Sequence, residues 1–129
     1  MTSEGEAFVQ RFVAAMNAHD VDAVAACYAD DAVIRYPGRP AQGVAEYTNG
    51  EREMLKAVPD YHIAPKAVTE SGDGTLVLEW EMRGTQREDL GGRSFTVTGA
   101  YIFQLAAGKV VEERAYPDIA GLRKQLSGK

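Results

Sequence analysis

The sequence predicts an α+β fold, with helices on one face of a curved antiparallel sheet, and three observations carry that prediction. Apolar residues before Pro59 recur mainly at helical spacing, those after it alternate, and only one short strand interrupts the helical half. At 129 residues, 45% of them hydrophobic, the chain suits a single domain spanning residues 1–129 that builds its core without staples.

Ser3 and Glu6 stand in the S-x-x-E pattern that opens a helix. Phe8, Phe12, Val13 and Met16 follow on one face, which predicts a helix from about residue 4 to 18. Asp20 caps a second, shorter helix carrying Val21, Val24 and Tyr28. Asp30-Asp31 is expected to break it, and residues 32–36 read as a short strand stopped by Pro37-Gly38. The third helix places Val44, Tyr47, Glu51, Met54, Leu55 and Val58 near one face and ends at Pro59. Residues 61–69 are β-rich, and Ser71-Gly72-Asp73-Gly74 makes a turn. Leu76, Leu78, Trp80 and Met82 then share one face of a strand, as do Phe95, Val97, Tyr101, Phe103 and Leu105 in the next. Ala106-Ala107-Gly108 turns the chain into a last strand, residues 109–116, and residues 119–126 form a short terminal helix after Pro117. A strongly twisted sheet of this kind curls, and helices closing its hollow side leave room for a pocket.

Composition narrows the function. Fourteen Lys/Arg against nineteen Asp/Glu give a net charge of −5, which argues against a nucleic-acid partner. A single cysteine, Cys27, excludes an internal disulfide and reads as a small core residue; two histidines make a zinc site a poor expectation. No apolar run approaches a membrane span and the first residues are polar and acidic, so a cytoplasmic protein without a membrane partner is expected.

The order of motifs resembles the NTF2-like superfamily, and within it the SnoaL-like polyketide cyclases. Residues 9–20 (VQRFVAAMNAHD) followed by Tyr28-Ala29-Asp30-Asp31-Ala32 carry the broad likeness. The narrower one lies in Ala57-Val58-Pro59-Asp60-Tyr61, in Glu79-Trp80-Glu81-Met82-Arg83-Gly84-Thr85, and in Gly108-Lys109-Val110-Val111-Glu112 with Asp118 and residues 121–126. The resemblance implies a cone-shaped fold, a homodimer formed through the sheet, and a ring closure of aldol type that uses neither metal nor organic cofactor. The catalytic aspartate of the cyclases maps onto Asp118. Gln86 and Glu113 stand where the family often has histidines.

Aldol closure needs a base beside a carbonyl and an acid for the developing alkoxide. Asp118 can do both if an apolar chamber, built from residues such as Tyr116, Trp80, Tyr101 and Phe103, raises its pKa. Its bland role is the cap of the terminal helix. If Asp118 faces inward, strict alternation takes Tyr116 and Arg114 inward and Glu113 outward. His62 is a second acid/base candidate, or with Tyr36 a donor to a substrate oxygen; its bland role is a half-exposed strand residue. Trp80, Tyr101 and Phe103 would grip a hydrophobic or aromatic ligand, with Tyr116, Met54 and Phe12 adding to the lining, although that stripe reads first as a plain core. His19 serves the end of the first helix.

Rival chemistries on this architecture fit less well. Ketosteroid isomerase needs an aspartate base and an oxyanion hole of tyrosine and protonated aspartic acid. The corresponding positions here hold Tyr36, Phe12, and Tyr101 or Ala100. A limonene-type epoxide hydrolase needs arginine between two aspartates, where this strand reads Trp80-Glu81-Met82; Arg87-Glu88-Asp89, and Arg114 with Asp118, are faint versions. A non-catalytic small-molecule binder remains the other reading, because fold does not dictate function.

Overall fold

The computed structural model describes residues 3–127. Helix α1 (Glu4–Asn17) begins where the Ser3 hydroxyl accepts the Glu6 backbone N–H at 3.0 Å, satisfying one of the donors a helix start leaves unpaired. It buries Phe8, Val9, Phe12, Ala15 and Met16 along one face. Helix α2 (Val21–Ala25) is capped by Asp20, whose carboxylate accepts from the Ala23 N–H at 3.0 Å.

Tyr28, expected on α2, instead opens strand β1 (Tyr28–Arg35). The chain leaves the helix early because the Cys27 carbonyl accepts from the Val110 N–H and draws the backbone into the sheet. Asp30 and Asp31 lie inside β1 instead of breaking it. The pairing shifts between Tyr28 and Val33, and the irregularity lets both carboxylates face solvent.

Helix α3 (Val44–Ala57) follows, then the meander β2 (His62–Glu70), β3 (Thr75–Thr85), β4 (Ser94–Ala106) and β5 (Lys109–Pro117), and finally α4 (Ile119–Ser127). The five strands run in the order β1-β5-β4-β3-β2, with β1 parallel to β5 and the other neighbours antiparallel. Register shifts in β2 and β5 add local bends to the twist, and the curved sheet wraps the helices.

The core is aromatic where α1 meets the sheet. Phe103 meets Phe8 and Phe12 edge-on at 5.1 and 5.3 Å between ring centres, and Tyr101 meets Phe12 at 5.9 Å. Trp80 lies against Tyr101 at 5.1 Å. Gly99 is required there, since a Cβ would come within 2.6 Å of the Trp80 ring. Two side-chain amides finish sheet edges. Asn17 accepts from the Ile63 N–H at 2.8 Å and donates to its carbonyl at 2.9 Å; Gln125 does the same to Thr96, at 2.9 and 2.7 Å. No helix among the described residues is long and apolar enough to cross a membrane.

Candidate active site

The hollow side of the sheet opens between α3, the loop after β1, and the junction of β5 with α4, in a cavity of about 530 Å³. Tyr36 and Arg39 come from the loop, Tyr47, Glu51 and Met54 from α3, and Pro117, Ile119 and Arg123 from the far side. The α3 contribution follows from helical spacing: Tyr47, Glu51 and Met54 recur at intervals of four and three.

Glu51 is a carboxyl set among aromatic and apolar groups. Burial pushes its pKa from 4.5 up to about 7, and the nearby Tyr47 hydroxyl moderates the rise. The Tyr47 side chain is itself buried, and its hydroxyl has no hydrogen-bond partner. Its acidity is suppressed by burial and by Glu51, Tyr28 and Glu113, so the phenol keeps its proton. Burial also raises the Tyr36 pKa, with Glu113 and Glu51 adding to the effect and Arg39 opposing it.

One layer behind this wall, the Tyr47 ring lies 5.3 Å from that of Tyr28, and the Tyr28 hydroxyl hydrogen-bonds Glu113. Glu113 is wholly buried and its second oxygen has no partner. Burial, with Glu51 adding to it and the Tyr28 hydrogen bond opposing, raises its pKa to about 8. The interior thus holds Glu113, which favours the protonated form at neutral pH, and Glu51, which titrates close to it. Of the two, Glu51 lines the cavity, where a carboxyl of this kind can exchange protons near neutrality.

The residues singled out from sequence divide sharply. Tyr36 and Met54 line the cavity. Asp118 does not: it is exposed, and its carboxylate accepts the Gly121 N–H at 2.9 Å, capping α4 while Pro117 and Ile119 on either side face the cavity. The inward placement that a catalytic role requires of it is not met, because strand phase takes Glu113 and Ala115 inward and Arg114 and Tyr116 outward. His62 is exposed in a separate open groove with Asp60, Arg83 and Thr96, so it does not share the cavity. Trp80, Tyr101, Phe103 and Phe12 are buried against one another as core and leave no face to a ligand, and Tyr116 is 48% exposed on the outer side. His19 binds the Tyr61 carbonyl at 2.7 Å at the end of α1.

The two perturbed carboxyls, Glu51 and Glu113, are not among the site residues expected from sequence, for different reasons. Glu51 carried a signal, because it is the charged member of an otherwise apolar stripe on α3. Glu113 carried none beyond standing in place of a histidine, since its burial depends on the register of β5.

A curved sheet of five strands whose mouth holds a cavity of mixed apolar and polar lining, with one perturbed carboxyl, is the architecture of an α+β protein with room for a small molecule. The model of the SnoaL-like domain matches residues 9–113, and the chain belongs to that family. The matched segment ends at Glu113, before Asp118. Among solved structures, AclR from Streptomyces galilaeus, a proposed hydroxylase, superposes with a TM-score of 0.86 at 21% identity, covering 98% of this chain and 82% of that one. A proposed SnoaL-like polyketide cyclase from Jannaschia sp. CCS1 gives 0.83 at 18% identity over 98% and 93%. IdmH from Streptomyces antibioticus, a proposed polyketide cyclase, gives 0.83 at 19% identity over 97% and 99%. At these identities the likeness is one of fold, and it agrees with the NTF2-like architecture expected from the motifs. No curated protein matches the sequence significantly.

Proposed function

We propose that this protein is a cofactor-independent acid/base catalyst that closes a ring in a hydrophobic, polyketide-like molecule, with Glu51 in place of Asp118 as the proton-transfer group. The observation that carries the reading is a cavity-wall carboxyl whose pKa stands at about 7, where it can accept and return a proton with little cost. In the ring closure, ionised Glu51 takes a proton from the carbon beside one carbonyl. The resulting enolate carbon attacks a second carbonyl of the same molecule, and Glu51 returns its proton to the new alkoxide. No atoms are gained or lost. Met54, Pro117 and Ile119 supply the apolar surroundings that exclude water from the enolate.

The test is turnover of a synthetic aromatic poly-β-ketone by the wild type and two variants. Glu51→Gln is expected to lose about 10²–10⁴-fold, the usual worth of a positioned acid/base. Asp118→Asn is expected to retain activity, reversing the order the family position implies. Full activity in Glu51→Gln removes Glu51 from the chemistry. A second reading, a non-catalytic binder, is favoured by the outward placement of Asp118. Saturable binding of the ketone with no turnover by the wild type would establish it.

We also propose a homodimer through the outer face of the sheet. Val77 and Ile102 stand there half-buried among Thr96, Thr98 and Gln104, a mixture suited to a partner sheet.

A further inference from the structure

The cavity carries polar groups that the proton-transfer reading does not use, and their placement specifies a ligand. The first is the Tyr47 hydroxyl, buried on the wall beside Glu51, with its proton retained and no hydrogen bond made within 3.5 Å. A buried donor without a partner is unfavourable, and an acceptor brought from outside would satisfy it. A carbonyl oxygen fits that role, because it accepts without needing a donor in return.

The second feature lies at the mouth. Arg39, on the loop after β1, and Arg123, on α4, line the cavity from different elements. Neither forms an ion pair with a carboxylate among the described residues, although acids outnumber bases in the chain. Arg39 is steadied over the Tyr36 ring, 5.8 Å from its centre. Guanidinium groups bind carboxylates through paired N–H donors, and two at one mouth suit a single anionic end group. Between these features lies the apolar stretch formed by Met54, Pro117 and Ile119.

We infer that the ligand is an amphipathic keto acid: its ketone oxygen accepts from Tyr47, its apolar body fills the cavity, and its carboxylate lies between Arg39 and Arg123. This rests on the same cavity as the proposed function and narrows its substrate class. It also orients the guest, because the carboxylate stays at the rim and the carbon beside the ketone comes to Glu51.

Three probes separate the contributions by isothermal titration: 4-oxo-4-phenylbutanoate, its methyl ester, and 4-phenylbutanoate, which lacks the ketone. The keto acid is expected to bind about 10-fold more tightly than its ester, consistent with charge-assisted hydrogen bonds. Arg39→Gln with Arg123→Gln should abolish that difference. The keto acid is also expected to bind about 5-fold more tightly than 4-phenylbutanoate, in keeping with one hydrogen bond to a buried donor, and Tyr47→Phe should erase this gap alone. Equal affinities for acid and ester overturn the inference while leaving the cavity as a binding site. Binding of none of the three overturns the inference and the proposed site together. If the expected pattern holds but Glu51→Gln leaves turnover unchanged, the ligand class stands and the catalytic proposal falls.

Discussion

Among the described residues, Glu113 has the Tyr28 hydroxyl as its one hydrogen-bond partner and forms no ion pair. The consequence for stability has a definite sign. The folded chain holds the proton up to about pH 8, whereas the unfolded chain releases it near 4.5. Between those values the folded state binds more protons, so stability is greatest below the lower pKa and falls as pH rises through the window. The change amounts to a few kcal/mol and is complete once pH passes the folded value. Glu51 adds a smaller loss of the same sign, ending near pH 7. Urea denaturation from pH 5 to pH 9 should therefore show wild-type stability declining, and Glu113→Gln should flatten most of the decline. A variant curve parallel to the wild type would mean that Glu113 does not titrate as its surroundings dictate.

At the scale of elements, side-chain amides end what the backbone leaves unfinished. Strand β5 stops at Pro117, opposite Gly99, so the Thr96 N–H and carbonyl lie beyond its reach. Gln125 takes both, and its own N–H also reaches the Gly121 carbonyl, which ties α4 to β4. Because α4 brings Ile119 and Arg123 to the cavity, this amide also holds one wall of the site. Gln125→Ala is expected to cost about 1–3 kcal/mol and to speed hydrogen exchange at Thr96 more than at Leu78 in the sheet centre. Equal protection of Thr96 in both proteins would show that α4 is held by Leu122 and Leu126 alone.

For the whole molecule, the sheet separates two environments: a hollow side with an aromatic core and cavity, and an outer side of short polar and branched residues. The proposed dimer uses the second and leaves the first open. Sedimentation velocity should give about twice the 14.0 kDa chain mass. Replacing Ile102 by glutamate should return the monomer without changing ligand affinity. A wild-type monomer at all concentrations would leave the outer face without the proposed partner. The separation also accounts for the fate of the aromatic stripe read from sequence. Trp80, Tyr101 and Phe103 face inward as their alternation requires, but α1 fills the hollow above them with Phe8 and Phe12, and the cavity is displaced toward α3.

Local periodicity and capping determined the element order, because helix and strand spacing are set by the backbone and are visible in any window of a dozen residues. The motifs that follow those elements determined the family. The choice between Asp118 and Glu113 belonged to the tertiary structure. Counted from the Ala106-Ala107-Gly108 turn without interruption, β5 would point Arg114, Tyr116 and Asp118 inward. In the sheet Leu105 pairs with Val110 and Gln104 with Glu112, leaving Val111 as an extra residue. One inserted residue turns every later side chain to the opposite face, so Glu113 enters the core opposite Phe103 and Asp118 leaves it for the cap of α4. A bulge is settled by how two strands and the helices beneath them pack together, and no stretch of sequence marks Val111 as its place.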